Sequence, residues 1–174
     1  MNEIPQILEP KEKLVYDSKP KYAPYITVVI FGTFIAVVVI GVIIGVFLKS
    51  ILWAVIAGVI IFVVGIILSN MAYTRTHYAI TNKRAIIQSG IIGRDFKSID
   101  YDRMQNVSVD VGIIGLIFKV GSVKIFTGEM ESVRSGKYGS RIRAKYDRFN
   151  YVASPYEVLK KLQTHLSTRK EELA

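Results

Sequence analysis

Two long runs without a charged residue constrain this chain more than any other feature. Tyr22–Leu48 and residues 50–74 contain no Asp, Glu, Lys, Arg or His over 27 and 25 positions. A helix needs about 20 apolar residues to cross a bilayer, and the 100 residues after position 74 are too few to enclose two helices that are apolar on every face. We therefore predict a transmembrane helical hairpin, with spans at about 25–48 and 51–73 and with Lys49 at its tip.

The basic residues around the hairpin predict its orientation. Four lie near the start of the first span and four follow the second span, whereas the tip has one. They are Lys11, Lys13, Lys19 and Lys21, then Arg75, Lys83, Arg84 and Arg94, and at the tip Lys49. Because Lys and Arg accumulate on the cytoplasmic side of membrane proteins, we expect a cell-membrane protein with two spans and both termini in the cytoplasm.

Small residues recur four positions apart within each span. Gly41 and Gly45 form one pair, and Ala54 and Gly58 form the other. Such pairs allow helices to approach closely. Packing between the two helices of the hairpin is the favoured interpretation, because the short turn already brings them together, and pairing with another subunit is the alternative. Neither span contains Asp, Glu, Lys, Arg or His, so we expect neither a transporter nor a channel.

The residues after the hairpin have the pattern of short β-strands. Alternating segments separated by turn residues predict about seven of them. They are residues 76–81, 84–89, 94–101, 106–111, 120–127, 141–146 and 149–152. In the sixth, we expect Ile142, Ala144 and Tyr146 to face the core. The apolar segment 113–118 is expected to pack under the sheet, since exposed apolar patches of that size are unusual.

One amphipathic helix is predicted to end the domain. Ser154, Pro155 and Glu157 form a helix start signal. An apolar stripe with helical spacing follows, consisting of Val158, Leu159, Leu162 and Leu166. Strands followed by a single helix favour a sandwich or barrel of the pleckstrin-homology (PH) type over an OB-like barrel, whose helix lies mid-chain. The predicted divisions are an N-terminal cytoplasmic segment 1–21, the hairpin 22–74, a PH-like domain 75–169 and a tail 170–174.

Several motifs occur together in the second half of the chain. They are YAITNKR at 78–84, Gly90, IDYDRMQNVSV at 99–109, GSVKI at 121–125 and SPYEV at 154–158. In these motifs the chain resembles the bacterial PH family of membrane proteins, in which a helical hairpin precedes a PH-like domain. The resemblance implies a membrane-anchored α+β fold, whereas function does not follow from fold. The polar stretch 129–139 is longer than the usual connection in that family.

The excess positive charge lies on the predicted domain. From Arg75 onward there are 18 basic and 10 acidic residues, which account for +8 of the total charge of +9. The candidate lipid-binding or partner-binding residues are Lys83, Arg84, Lys137, Arg141, Arg143 and Lys145. The first pair lies in the first hairpin of the predicted domain, where lipid-binding PH domains hold headgroups, and a period of two places the last three on one strand face. We therefore expect a non-enzymatic adaptor that binds anionic headgroups, and a solvated basic face is the simpler explanation.

The sequence also allows other functions to be considered, namely a subunit of a membrane complex, a metal-dependent enzyme and a nucleic-acid-binding protein. An accessory subunit of a larger membrane complex would bind a protein partner, or a second copy, through the sheet or the hairpin. His77 and His165 are isolated and lack a metal-ligand spacing. Asp100 and Asp102 are weak candidates for a metal-dependent transferase, because no donor-binding domain accompanies them. We expect no enzymatic activity, cofactor or metal, and no nucleic-acid partner, since a membrane anchor limits access to one.

Overall fold

The chain forms an α+β structure with two N-terminal helices, two antiparallel sheets and a C-terminal helix. This computed structural model describes residues 3–48, 50–93, 95–134 and 140–173. The helices are α1 (Tyr22–Leu48), α2 (Ile51–Arg75), α3 (Ile113–Phe118) and α4 (Pro155–Leu173). The strands are β1 (Leu14–Ser18), β2 (His77–Thr81), β3 (Arg84–Ser89), β4 (Asp95–Asp100), β5 (Asn106–Asp110), β6 (Gly121–Arg134) and β7 (Ser140–Val152). Short 3₁₀ turns lie at Ile4–Ile7 and Tyr101–Arg103.

The helices α1 and α2 pack against each other as a hairpin. Each is long and apolar enough to cross a membrane, by length and composition. In the most apolar 18-residue window of each helix, 0% of α1 and 6% of α2 is buried in the protein. Apolar side chains exposed on nearly every face distinguish these helices from the core helices of a soluble domain.

Small residues allow the two helices to approach. A Cβ added at Gly45 would lie 3.9 Å from the Ala54 Cβ, and one added at Gly58 would lie 3.1 Å from Val37 Cγ1. At Gly41 an added Cβ would meet no atom within 4 Å. Packing within the hairpin therefore accounts for Gly45, Ala54 and Gly58. All four small residues border an open apolar groove of about 600 Å³ along the hairpin, and Gly41 has no helix contact of this kind.

The strands form two sheets with simple orders. The first has the order β1-β2-β3-β4 and the second β5-β6-β7. The two-residue turn Asn82-Lys83 joins β2 and β3, as the sequence predicts. A PH-like core lies between the sheets and under α4. It consists of Tyr78, Ile80, Ala85, Ile99, Tyr101, Met104, Val107, Val123, Ile125, Phe149, Val152, Val158 and Leu162.

The N-terminal segment is an integral part of the first sheet. Its strand β1 pairs with β2, with Ser18 opposite Tyr78. Ile4 is completely buried against Ala79 and Ile86, on the face of the sheet that points away from the main core. All five residues of β2 are buried, because one face of the strand packs on the core and the N-terminal segment covers the other. The seventh strand is thus β1, which the sequence pattern did not reveal.

The last strand differs from its sequence prediction in length and in orientation. Residues 141–146 and 149–152 belong to one continuous strand, β7. Phe149 is completely buried and its ring stacks on Tyr78 at 4.8 Å. Because side chains alternate along a strand, the buried position of Phe149 places Tyr146, Ala144 and Ile142 on the outer face of the sheet. The prediction that these three face the core is wrong.

The segment 113–118 also differs from its prediction. It forms the short helix α3, in which Ile113, Leu116 and Ile117 are 79%, 70% and 70% exposed. A Cβ added at Gly115 would lie 2.5 Å from the Val120 carbonyl oxygen. The helix therefore contacts the domain through Gly115, so that Ile113, Leu116 and Ile117 face outward instead of lying under the sheet.

Tyrosines join the hairpin to the domain. The ring of Tyr73 lies 4.9 Å from that of Tyr22 and 5.4 Å from that of Tyr25. The ring of Tyr25 also lies 6.4 Å from that of Tyr151, whose carbonyl accepts a hydrogen bond of 2.8 Å from the Lys21 amide. We call this end of the domain the hairpin-side end. Since β2 and β6 both start there, the β2–β3 turn and the far part of β6 lie away from the hairpin.

Candidate functional site

Arg84, one of the predicted headgroup ligands, is bound by a carboxylate of the N-terminal segment. Its Nε and Nη2 atoms donate hydrogen bonds of 3.0 Å to the two oxygens of Glu12. The Thr81 hydroxyl donates a third, of 2.7 Å, to Glu12 Oε1. The Glu12 side chain is 0% exposed and the Arg84 side chain 17%. The pair is therefore a largely buried, two-point ion pair.

Lys83, the other predicted ligand at this turn, is also paired with a carboxylate. Its Nζ lies 2.8 Å from Glu9 Oε2. The neighbouring Asn82 exchanges hydrogen bonds with the backbone of Lys13, of 2.8 and 3.1 Å. The N-terminal segment thus occupies the positions that an anionic headgroup would take at this turn.

A polar cleft of about 350 Å³ opens beside the turn. Its charged and titratable lining residues are Glu9, Lys83, Arg84, Asp100, Asp102 and His165. His165 stacks on the ring of Tyr101 at a centroid distance of 5.7 Å. Three carboxylates against two basic side chains give the cleft no preference for phosphate. Within the described part of the chain, no three His, Cys, Asp or Glu side chains come together as a metal site.

Glu12 should make the stability of this turn depend on pH. Burial acts to raise the pKa of Glu12, but hydrogen bonds from Arg84, the Glu9 amide and Thr81 together lower it below the ordinary 4.5. A lowered pKa in the folded state adds stability above the unfolded pKa, and that stability is lost as pH falls through the folded pKa. We expect hydrogen exchange of the β2–β3 amides, corrected for intrinsic pH dependence, to accelerate below pH 4.5. A Glu12→Gln protein should lack most of this acceleration, and an identical response in both proteins would contradict the assignment.

The other predicted basic residues lie on a two-stranded extension of the second sheet. Pairing of β5 with β6 ends at Phe126, whereas β6 and β7 continue to pair as far as Arg134 and Ser140. We call residues 127–134 and 140–146 the arm. Three β6 residues face a single β7 residue where the arm begins, and Gly128 has a φ of +84° in this bulge. The arm projects past the sheet by about eight residues, or about 25 Å if straight.

One face of the arm is charged. Lys145 Nζ lies 2.9 Å from Glu129 Oε2, and Arg143 lies opposite Glu131 in the strand register. Arg141 lies opposite Val133, two residues further on. The structure therefore brings Arg141, Arg143 and Lys145 to one face, as their spacing predicts, but intersperses them with carboxylates. None of the three lines the cleft beside the β2–β3 turn, and Lys137 lies outside the described residues.

The opposite face of the arm is apolar and exposed. Met130 is 63% exposed, Ile142 75% and Tyr146 40%. The Tyr146 ring packs on Phe126 with centroids 5.3 Å apart. Because this face lies beyond the last β5 pair and on the outer side of β7, the arm presents an apolar strip on two paired strands.

Comparison with known proteins identifies the family. A family model described as a bacterial PH domain matches residues 26–170. The chain belongs to the bacterial PH domain family. The match begins inside α1, so it covers the hairpin as well as the PH-like domain.

Comparisons with individual proteins gave less than the family model. No curated protein matches this bacterial PH domain protein. Among solved structures, it is similar to a DUF1696 family protein with a pleckstrin-homology domain from Shewanella loihica PV-4, with 16% identity and a TM-score of 0.35. That comparison covers 54% of this chain and 73% of the other.

Sequence analysis missed the two carboxylates that pair with Lys83 and Arg84 and the apolar face of the arm. Glu9 and Glu12 precede α1, more than 60 positions before the turn that they bind. Met130 lies in the stretch whose extra length was noted, and that length was the available signal for the arm. The acidic residues of the N-terminal segment carry no local signal, because their effect depends on the pairing of β1 with β2.

Proposed function

We propose that this bacterial PH domain protein is a non-enzymatic membrane adaptor that binds a protein partner through the apolar face of the arm. The observation that carries the proposal is the exposure of Met130, Ile142 and Tyr146 on strands fixed by backbone pairing. Burying side chains of this kind contributes about 1.5–3 kcal/mol each. Aromatic and large apolar side chains at the centre of a contact dominate the affinity of protein interfaces.

The membrane anchor in this proposal is supported by α1 and α2. Their length, composition and exposure fit two spans, and the excess of basic residues on both terminal flanks favours a cytoplasmic domain. Because the arm begins at the end of the domain away from the spans, it is presented to partners in the cytoplasm instead of to the bilayer.

Binding of anionic lipid headgroups is the second candidate function. It is supported by the exposed side chains of Arg141 and Arg143 on the arm. The β2–β3 turn does not support it, because Lys83 and Arg84 there are already paired with Glu9 and Glu12. A headgroup at that turn would have to displace a buried carboxylate, and separating such a pair leaves an uncompensated charge.

A crosslinking experiment tests the protein-partner proposal. A photoreactive amino acid is placed at Ile142 in the full chain in its native membrane, and at the exposed Gln163 on α4 as a matched control. We expect a discrete protein adduct from position 142 that is absent from position 163. Met130→Asp should remove the adduct, because a charge on the apolar face opposes its burial. Arg141→Glu with Arg143→Glu should leave most of it.

The lipid alternative makes the opposite prediction. The full chain, reconstituted in neutral nanodiscs, would then bind separate anionic vesicles, and binding would fall with salt and with the double Arg→Glu substitution. Vesicle binding of this kind without an adduct at position 142 would replace the adaptor proposal with lipid recognition. An adduct that contains a second copy of the chain would identify self-association as the contact.

A further inference from the structure

Two exposed apolar groups lie at the hairpin-side end of the domain. Ile91 and Ile92, in the turn between β3 and β4, are 43% and 87% exposed. The second group is the outward row of α3, which consists of Ile113, Leu116 and Ile117. Neither group contributes to the main core or to the cluster around Ile4. Five large aliphatic side chains at one end of a domain need an apolar environment.

Each group is joined to one helix of the hairpin. Arg75 Nη1, at the end of α2, donates a hydrogen bond of 2.8 Å to the Ile92 carbonyl oxygen. The helix α3 contacts α1. The two groups are therefore attached to the two helices, one group to each, where the hairpin meets the domain.

The neighbouring residues are those found where proteins meet lipid headgroups. Tyr22 and Tyr73 form a ring pair at this end of the hairpin, and tyrosines accumulate at membrane interfaces. Lys21 precedes α1, Arg75 ends α2 and Lys119 caps α3 with a φ of +53°. Lys21, Arg75 and Lys119 are basic residues of the kind that the anionic surface of the cytoplasmic leaflet attracts.

We propose that the Ile91-Ile92 turn and α3 insert into the leaflet that faces the domain, beside the ends of α1 and α2. This inference rests on the membrane anchor of the proposed function but is independent of the arm and its partner. Three attachments, the hairpin, the turn and α3, would fix which face of the domain meets the bilayer. The arm would then be held away from the membrane in a defined direction.

Site-specific fluorescence tests the insertion. The chain has no cysteine, so single cysteines are introduced at Ile92 and Ile117 and labelled with an environment-sensitive dye. Phe31, 67% exposed on α1, provides the control inside the span, and Ser167, exposed on α4, provides the control away from the bilayer. The full-length proteins are reconstituted in phosphatidylcholine vesicles, with and without nitroxide-labelled phosphatidylcholine.

Insertion predicts a blue shift and strong nitroxide quenching at positions 92, 117 and 31, with neither at 167. Quenching at 31 but water-like emission at 92 and 117 would overturn the inference and leave the anchor intact. A blue shift at 92 and 117 without nitroxide quenching would also overturn it, by showing burial in protein instead of lipid. An absence of quenching at position 31 would contradict both the membrane anchor and the insertion.

Discussion

A fragment of residues 75–174 is expected to be unstable, although the sequence predicts a domain that begins at residue 75. The fragment lacks Ile4, whose complete burial contributes about 2 kcal/mol. It also lacks β1, so β2 loses its pairing partner and becomes an edge strand, and Ala79 and Ile86 lose the apolar residues that cover them. Uncovering an apolar face of the first sheet and exposing a strand edge removes a large part of the few kcal/mol by which a small domain is stable. Circular dichroism should show no cooperative thermal transition for this fragment.

A matched fusion provides the comparison. Residues 3–20 are joined to residue 76 by a short Gly-Ser linker that replaces the hairpin, which is feasible because Ser18 lies opposite Tyr78 in the sheet. The fusion should unfold cooperatively, and Ile4→Asp within it should remove most of the gain. A transition in the 75–174 fragment at the temperature of the fusion would show that the N-terminal segment is dispensable.

Arg84→Met in the full chain is expected to destabilise the first sheet by about 3 kcal/mol, since it leaves the fully enclosed Glu12 carboxylate without a charged partner. Hydrogen exchange of the Ala79 and Ile80 amides, measured in detergent, should accelerate about a hundredfold. Adding Glu12→Gln should recover more than half of the loss, because no unpaired charge then remains. Lys83→Met is the matched control.

The control removes a basic partner of a carboxylate at the same turn, but from an exposed pair. The Lys83 and Glu9 side chains are 46% and 52% exposed, so water solvates either one when its partner is removed. Exchange at Ala79 and Ile80 should therefore change little in Lys83→Met. Equal effects of Lys83→Met and Arg84→Met, or no recovery in the double variant, would contradict a stabilising role for the buried pair.

Several elements were predictable because their signals are local. The uncharged runs exceed the length of a span, and α1 and α2 occupy them. The Asn82-Lys83 turn and the helix start at Pro155 depend on a few adjacent residues, and both occur as predicted. The family resemblance rested on motifs of the same kind, and the family match over residues 26–170 confirms it.

The orientation of β7 was not predictable from its own residues. Alternation showed that Ile142 and Tyr146 share a face, but the same pattern fits either side of a sheet. Two tertiary features determine which face of β7 is exposed. Phe149 packs on Tyr78 in the core, and β6 and β7 extend beyond the end of β5. The apolar face of the arm was therefore read as core, although the structure exposes it.

The sequence by itself determined the helical hairpin, the PH-like order of strands and helix, and the basic charge of the domain. Each depends on composition or spacing within a short stretch. Only the tertiary structure decided that Lys83 and Arg84 are paired with Glu9 and Glu12 and that the arm exposes Ile142. These features depend on which distant segments meet, because a charge is neutralised, or an apolar face covered, by whatever the fold places against it.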